Sequence, residues 1–287
     1  MTRYTILIAF LALSTVGCYQ ARNDSIREMV RGLSMAKGGS YSGALKSLAE
    51  AAKIDPTNHR ALYYQGMICV TRLGEMERGV KLLQAAIAIK DTNYEYHYHL
   101  GHAFHSMRKY VAAAASLKKS IELKPDHAES HWRLGMALEA ETQFDGAQKA
   151  YRDALKQDGR LAMAYNRLGN LYQDFKESSH AAQVFKNGIE NRPDFARNYH
   201  DLGMVYRSQE RWADAIVQME AAIKRDAKHT AAYFNLAMTY FQSGKKKKAM
   251  NTFKSYLARR GSDTDALRVQ TAERYVRRLE AVLARPR

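Results

Sequence analysis

Cysteine, proline and long apolar runs are all scarce in this sequence, and each scarcity excludes a class of protein. The two cysteines, Cys18 and Cys69, cannot form a disulfide framework. Only 4 prolines and 46% hydrophobic residues in a chain of 287 argue against a disordered or fibrous protein. The apolar run from Ile6 to Leu13 is too short to span a bilayer, which takes about 20 apolar residues. The composition therefore predicts a folded, mostly helical protein with a sizeable core.

Acidic residues are also under-represented. The chain has 45 Lys and Arg against 29 Asp and Glu, a formal net charge of +16. Such a surface attracts anionic partners, but the charge does not choose among phospholipid head groups, acidic proteins and nucleic acid.

Catalytic motifs are missing as well. The sequence contains no nucleophile elbow, no zinc-protease helix and no pair of catalytic carboxylates. The stretch from Gly38 to Ala44 is a near miss to a phosphate-binding loop, because Ala44 stands where the loop requires a lysine. We therefore predict a protein that is not an enzyme and that needs no cofactor.

What the sequence does have is a repeat. Within residues 162–195, helical spacing relates Tyr165, Leu168, Gly169 and Tyr172, then Ala181 and Phe185, and Pro193 closes the unit. Steps of 34 residues bring Leu100-Gly101, Leu134-Gly135, Leu168-Gly169, Leu202-Gly203 and Leu236-Ala237 into the same place. The pattern predicts an array of similar helix pairs rather than a single chance match.

This pattern resembles the tetratricopeptide repeat family. The resemblance implies an all-α fold, a right-handed superhelical solenoid of about seven helix pairs plus a C-terminal capping helix. The predicted repeats span 25–58, 59–93, 94–127, 128–161, 162–195, 196–229 and 230–263, and residues 264–287 form the capping helix and a basic tail. Because no linker interrupts the repeats, we expect one continuous superhelix.

Two local features set the expected boundaries of the first repeats. Ser25 and Glu28 have the spacing of a capping box, which predicts that a helix begins at Ser25. The second repeat has one residue too many, and we place it in the turn at Leu73-Gly74-Glu75.

The N-terminus reads as a secretory signal. Arg3 precedes the apolar run, and the small residues Ser14 to Gly17 follow it. We predict a signal peptide over residues 1–17 and a short polar tether over 18–24. The main alternative is an intracellular protein whose N-terminus is not a signal.

The stretch Thr15-Val16-Gly17-Cys18 resembles the lipobox of bacterial lipoproteins. The resemblance implies acylation of Cys18 and a membrane anchor, and Tyr19 after the cysteine implies an outer-membrane protein facing the periplasm. Alternatively, an ordinary signal peptidase removes the signal and Cys18 is incidental.

The family resemblance also implies a concave groove lined by the fifth and ninth positions of each first helix. Those positions hold Tyr63, Met67, Tyr98, His102, Trp132, Met136, Asn166, Asn170, His200, Met204, Phe234 and Met238. Aromatic and methionine side chains suit a peptide with apolar anchors. The alternative is that these side chains only pack against the neighbouring repeat. The carboxylate clamp of some chaperone adaptors in the family is not predicted, because Asp201 and Ala231 stand where Asn and Lys are required.

His99, His102 and His105 form an unusual cluster, since a spacing of three brings them round one side of a helix. Imidazoles on one helix face can bind zinc, copper or nickel. No carboxylate or cysteine completes the set, so a metal-binding protein is an alternative to a peptide-binding one.

Positive charge is concentrated at the C-terminal end. From Lys245 onward there are 13 basic and 4 acidic residues. The predicted basic patch comprises Lys245, Lys246, Lys247, Lys248, Arg277 and Arg278. This concentration suggests an anionic partner or surface at that end, with nucleic acid a poor candidate for an exported protein.

Together these patterns predict a non-enzymatic scaffold or adaptor lipoprotein of the bacterial envelope. Its groove would bind a peptide segment of another envelope protein, and its lipid anchor would hold it on the membrane. The architecture resembles lipoproteins of the family that assist assembly of a secretin, a pilus or a cell-wall complex.

Overall fold

The computed structural model describes residues 2–259, 261 and 265–284, with side chains from residue 19 onward. Over this part of the chain fifteen α-helices form: α1 (Thr2–Lys37), α2 (Tyr41–Ile54), α3 (His59–Ile68), α4 (Met76–Ile89), α5 (Tyr94–Ser106), α6 (Tyr110–Leu123), α7 (Ala128–Ala140), α8 (Phe144–Gln157), α9 (Ala162–Asp174), α10 (Ser178–Asn191), α11 (Ala196–Ser208), α12 (Trp212–Arg225), α13 (Thr230–Gln242), α14 (Lys246–Ala258) and α15 (Ala266–Leu283). The chain divides into two compact units, residues 1–147 (unit 1) and 148–287 (unit 2).

Within each unit, consecutive helices pack in pairs. In unit 1, α1 packs on α2, α3 on α4 and α5 on α6; in unit 2, α9 packs on α10, α11 on α12 and α13 on α14. The first helices of six pairs begin at His59, Tyr94, Ala128, Ala162, Ala196 and Thr230, the first residues of six predicted repeats. The predicted array of helix pairs is therefore confirmed within each unit. The single continuous superhelix stays a prediction.

Small residues lie where the two helices of a pair approach closely. A Cβ added at Gly101 would lie 2.6 Å from Cγ of Leu117, and one at Gly169 would lie within 2.9 Å of three ring carbons of Phe185. In the last pair the same position is Ala237, which is fully buried. At Gly101 and Gly169 even a methyl group would overpack the crossing, whereas the crossing at Ala237 accommodates one.

The predicted start of the first helix at Ser25 is wrong. Helix α1 begins at Thr2 and runs through the predicted tether to Lys37. Ser25 lies inside it, fully buried, and its hydroxyl donates to the carbonyl of Ala51 at 2.7 Å while accepting from Nδ2 of Asn58 at 2.8 Å. The serine thus joins α1 to the end of α2 and to the N-cap of α3 instead of capping a helix.

The N-terminal predictions fall largely outside what the structure describes. The side chains of residues 1–18, including the predicted lipidation site Cys18, are not among the described ones. No helix in the described part of the chain combines the length and apolar character needed to cross a membrane. The signal peptide and the lipid anchor stay predictions.

The extra residue of the second repeat lies earlier than predicted. A π-helical turn, Cys69–Leu73, extends α3, and the amide of Glu75 donates to the carbonyl of Cys69 at 3.0 Å. A π turn accommodates one residue more than an α turn. The insertion is therefore absorbed mainly by the end of the helix, and the predicted turn at Leu73-Gly74-Glu75 only completes it. Cys69 itself is fully buried, and burial raises the pKa of its thiol.

Helix α15 covers the end of unit 2, as the predicted capping helix should. It packs against α14 and buries Ala272 and Leu279, with Val269, Tyr275 and Val276 packed against the same core. Arg274, Arg277 and Arg278 are exposed. The predicted last residues of the seventh repeat and of the basic tail lie outside the described residues.

Candidate binding rows on the first helices

The predicted groove residues form one row in each unit. The unit 1 row comprises Tyr63, Met67, Tyr98, His102, Trp132 and Met136. The unit 2 row comprises Asn166, Asn170, His200, Met204, Phe234 and Met238. Each row contains the fifth and ninth positions of three first helices, so the helix pairs themselves set the spacing of the side chains.

In unit 1, contacts of aromatic side chains join the fifth positions to the first helix of the following repeat. Tyr63 is only 6% exposed, stacks on Tyr96 with 4.5 Å between ring centroids, and contacts His99 at 5.7 Å. Tyr98 accepts a hydrogen bond from Nε of Arg133 at 2.8 Å. These aromatic side chains therefore serve mainly to stack one repeat on the next.

Trp132 is a partly exposed aromatic residue of the unit 1 row. Its side chain is half-buried, and the guanidinium of Arg133 lies 5.3 Å from its ring. Its indole N–H is buried and has no hydrogen-bond partner among the described residues. Trp132 thus has both a partly open face and an unused donor.

Two histidines of the cluster, His99 and His105, pack against tyrosine rings. Burial is the main cause that lowers the pKa of His99 and of His102 to about 4, with further lowering by neighbouring positive groups such as Arg133. His99 lies between the rings of Tyr63 and Tyr98. Among the described residues, no group of three or more His, Cys, Asp and Glu side chains is placed to hold a metal ion. The described geometry thus gives the metal-binding alternative no support.

In unit 2, hydrogen bonds join the fifth positions to the first helix of the following repeat. Asn166, only 4% exposed, donates to Asp201, and Nδ1 of His200 lies 2.7 Å from the other oxygen of the same carboxylate. Nε2 of His200 lies 2.9 Å from Nδ2 of Asn235. Since the amide nitrogen can only donate, the imidazole accepts at Nε2 and donates from Nδ1 to Asp201.

Arg207 ends this series of bonds, which we call the polar chain (Asn166, Asp201, His200, Asn235 and Arg207). Its Nη1 donates to Oδ1 of Asn235 at 3.3 Å. Four consecutive hydrogen bonds therefore link the first helices α9, α11 and α13. Satisfied networks of this kind hold their members in one arrangement.

The remaining members of the unit 2 row differ in role. Phe234 packs edge-on against Phe253 and Tyr256 of α14 and lies beneath the guanidinium of Arg268 of α15. It therefore belongs to the packing of the capped end. Met204, Met238 and Asn170, all at ninth positions, are half-buried and leave part of each side chain accessible.

A common rule connects the two rows. In three cases a fifth position bonds to the sixth position of the following repeat, 35 residues later: Tyr98 with Arg133, Asn166 with Asp201, and His200 with Asn235. The sequence interpretation missed this pairing because it followed the 34-residue period. A search for complementary residues 35 apart, one residue more than the repeat period, would have found it.

The basic patch is exposed, as predicted for a solvated charged surface. Lys245 is the N-cap of α14, and Lys246, Lys247 and Lys248 occupy its first turn. The N-terminus of a helix carries partial positive charge, so lysines are unfavourable there. A bound anion would relieve this repulsion.

Comparisons with known proteins agree with this architecture. Models of the tetratricopeptide repeat match residues 30–94, 94–127, 128–160 and 206–272. A search of curated proteins finds no match.

Solved structures of other repeat proteins are similar to this chain. A tetratricopeptide repeat protein from Parabacteroides merdae ATCC 43184 has a TM-score of 0.64 at 14% identity, covering 90% of this chain and 99% of its own. MamA 41-end from Desulfovibrio magneticus RS-1 has a TM-score of 0.56 at 20% identity, covering 59% and 96%. YrrB, described as a TPR protein with an unusual peptide-binding site, has a TM-score of 0.52 at 16% identity, covering 68% and 99%.

At these identities the likenesses show the fold alone. The predicted fold class, an all-α tetratricopeptide solenoid, is confirmed by the helix pairs, the family models and the solved structures together. The chain belongs to the tetratricopeptide repeat family.

Proposed function

We propose that this protein is a non-enzymatic adaptor that binds a peptide segment of a partner protein along the rows of its first helices. The observation that carries the proposal is the partial exposure of the ninth positions. Met67, Met136, Met204 and Met238 are half-buried, and so is Trp132, whereas the fifth positions Tyr98 and His200 are already bonded to neighbouring repeats. Flexible methionine side chains adapt to apolar groups of a peptide.

The arrangement favours recognition over chemistry. Repeats present a long and stiff row of side chains whose spacing is fixed by helix packing. YrrB, a structure of the same fold, is described as having a peptide-binding site. By analogy, the two rows are the surfaces on which this chain would hold an extended or helical peptide.

Affinity capture with matched tryptophan variants tests the proposal. Trp132→Ala removes the half-buried indole of the unit 1 row. Trp212→Ala removes the other tryptophan, which begins α12, the second helix of its pair. We expect one partner to be recovered by the wild type and by Trp212→Ala but not by Trp132→Ala. Circular dichroism and the thermal midpoint must show that both variants fold. Equal recovery by all three proteins would place binding elsewhere.

We further propose that the adaptor is exported and anchored to the outer membrane through Cys18, with an envelope protein as its partner. Support comes from the Thr15-Val16-Gly17-Cys18 lipobox and from Tyr19 after the cysteine. Assembly of a secretin, a pilus or a cell-wall complex is the role that best suits such an adaptor. Cell fractionation tests the location: Cys18→Ala should leave the membrane fraction, whereas an intracellular adaptor would fractionate identically with and without the thiol.

A second binding surface is favoured by the lysines at the start of α14. We propose that the basic patch contacts an anionic surface, because four exposed lysines and the helix N-terminus repel one another. Replacing Lys245, Lys246, Lys247 and Lys248 with Gln should weaken attachment to vesicles containing phosphatidylglycerol. Undiminished attachment would remove this second role.

A further inference from the structure

Arg207 is a half-buried arginine that pairs with no carboxylate among the described residues. It lies in the last turn of α11, and its side chain is half-buried. Its one hydrogen bond among the described residues goes to the neutral amide oxygen of Asn235. Burial lowers the pKa of the guanidinium.

Other arginines of unit 2 form ion pairs with aspartates. Arg211 pairs with Asp214 at 2.8 Å and Arg192 with Asp194 at 3.1 Å, both on exposed turns. The carboxylate of the polar chain, Asp201, already accepts from Asn166 and His200. Arg207 is therefore more buried than these arginines, and its positive charge is less compensated by carboxylates.

Such an arrangement costs free energy in the unbound protein. A desolvated cation needs an anionic partner or several hydrogen bonds, and one amide oxygen supplies only part of that need. The C-terminal dipole of α11 offsets a further part. A guanidinium accepts a carboxylate in charge-assisted hydrogen bonds, which are about twice as strong as neutral ones.

Apolar side chains lie within two helical turns of Arg207 or Asn235 on the same helices. Met204 precedes Arg207 by one turn on α11, and Met238 and Phe241 follow Asn235 on α13 at spacings of one turn and nearly two. All three are half-buried hydrophobic side chains packed against the same core. The ligand that fits this surface carries negative charge next to an apolar group.

We propose that the unit 2 row selects peptides with an acidic side chain adjacent to an apolar one, and that Arg207 pairs with the acidic side chain. This inference rests on the proposed peptide-binding function and names the chemistry of its ligand. The polar chain positions Arg207: because His200 and Asp201 fix the amide of Asn235, that amide holds the guanidinium in the row.

Peptide display on the full-length protein tests the inference. Random-sequence peptides are selected on the wild type, on Arg207→Gln, on the charge reversal Arg207→Glu and on a control, Lys186→Gln, which removes one positive charge from the exposed face of α10. We expect Asp or Glu beside an apolar residue in peptides selected by the wild type and by the control. Arg207→Gln should lose the acidic preference, and Arg207→Glu should prefer Lys or Arg.

A second measurement separates a direct pairing from a structural effect. One selected peptide is synthesised with its acidic residue and with the matching amide. The change to the amide should weaken binding to the wild type by roughly 10- to 100-fold and leave binding to Arg207→Gln nearly unchanged.

The outcomes distinguish the two proposals. Selected peptides without acidic enrichment, or equal enrichment on Arg207→Gln, would overturn the role of Arg207 while leaving peptide binding intact. Failure of the wild type to select any peptide would overturn both.

Discussion

The two units use the same pair of positions with different chemistry. In unit 1 the fifth and sixth positions meet through rings, as in Tyr63 with His99, or through a phenol and a guanidinium, as in Tyr98 with Arg133. In unit 2 they meet through hydrogen bonds, as in His200 with Asn235. Stacking of neighbouring repeats therefore requires complementary side chains at these positions and no particular residue type.

The difference also separates structure from recognition. Since the fifth positions Tyr98, Asn166 and His200 are bonded to sixth positions, the proposed peptide would meet Trp132 and the ninth and twelfth positions. In unit 1 these include Met67 and Met136, and in unit 2 they include Met204 and Arg207. The unit 1 row thus offers apolar contacts and the unit 2 row offers apolar contacts with a charge.

The largest expected effect comes from the helix crossings. Gly169→Ala should destabilise unit 2 by about 3 kcal/mol, because the added methyl group meets the rigid ring of Phe185. Gly101→Ala in unit 1 should cost less, about 1–2 kcal/mol, because Leu117 can change rotamer. Urea unfolding measures both, with Trp132 and Trp212 reporting on units 1 and 2.

A control variant calibrates this prediction. Ala237→Gly, at the equivalent crossing, creates no clash. It should lower the free energy of unfolding by only about 1 kcal/mol, because glycine has a lower helix propensity than alanine. If Gly169→Ala unfolds at the wild-type urea concentration, close approach is not what the small residue provides.

Acid should weaken unit 1 more than unit 2. The unfolded chain protonates His99 and His102 near their ordinary pKa of 6.5, whereas the folded protein does so only near 4. Their contribution to stability is complete above pH 6.5 and is lost as the pH falls toward 4. Because these side chains are partly exposed, we expect the free energy of unfolding of unit 1 to fall by only about 1–2 kcal/mol over this range. Trp132 fluorescence follows the unfolding of this unit.

The variant His99→Phe sharpens the acid prediction. It keeps a ring between Tyr63 and Tyr98 and removes the titrating group, so the loss of stability between pH 6.5 and 4 should shrink. His180→Gln, on the exposed face of α10 in unit 2, should leave the profile unchanged. An identical pH profile for wild type and His99→Phe would contradict the assignment.

Much of the fold could be predicted because the repeat is encoded locally. Helix starts such as Tyr94 and Ala162, and small residues such as Gly169, depend on contacts within one helix pair. The start at Ser25 could not be predicted reliably, because the same hydroxyl serves equally well as a cap or as a bridge to Ala51. Only the packing of the second helix decides between them.

The candidate site was less predictable than the fold. The row positions follow from the family pattern, but the partners of Asn166 and His200 depend on how neighbouring first helices are offset. That no carboxylate among the described residues pairs with Arg207 is a property of its surroundings. No sequence window contains both Arg207 and Asn235 in a recognisable spacing.

A third prediction compares buried polar pairs between repeats. In unit 1, Ser120 and Ser130 are fully buried and bond to each other at 2.8 Å. In unit 2, Asn198 is fully buried against Gly188, and neither polar atom of its amide has a partner in the described residues. An unsatisfied buried amide is costly, whereas a paired hydroxyl is not.

Replacing both members of each pair with alanine tests this difference. Gly188→Ala with Asn198→Ala should destabilise unit 2 by less than the sum of the two single substitutions, because the added methyl group no longer meets Asn198 but still lies 2.8 Å from Cβ of Tyr165. The matching double substitution at Ser120 and Ser130 should cost about 1 kcal/mol, because it also removes the bond from Ser130 to Nδ1 of His127. Gly188→Ala alone should destabilise, because the methyl group would strike Asn198. A double-mutant cycle measured by urea unfolding gives the coupling; additive effects would refute the proposed exchange of volume.

The smallest expected effect concerns the turns between paired helices. The turn of the fourth repeat, in unit 1, places Thr142 at φ 60°, while the turn of the seventh repeat, in unit 2, has Gly244 at φ 75°. A left-handed conformation strains a β-branched residue and costs glycine nothing. Thr142→Gly should therefore stabilise by about 0.5–1 kcal/mol, and Gly244→Thr should destabilise by about 1 kcal/mol or more. Opposite shifts of the two thermal midpoints would show that the turns obey the same backbone rule in both units, and shifts of the same sign would show that the side chains outweigh it.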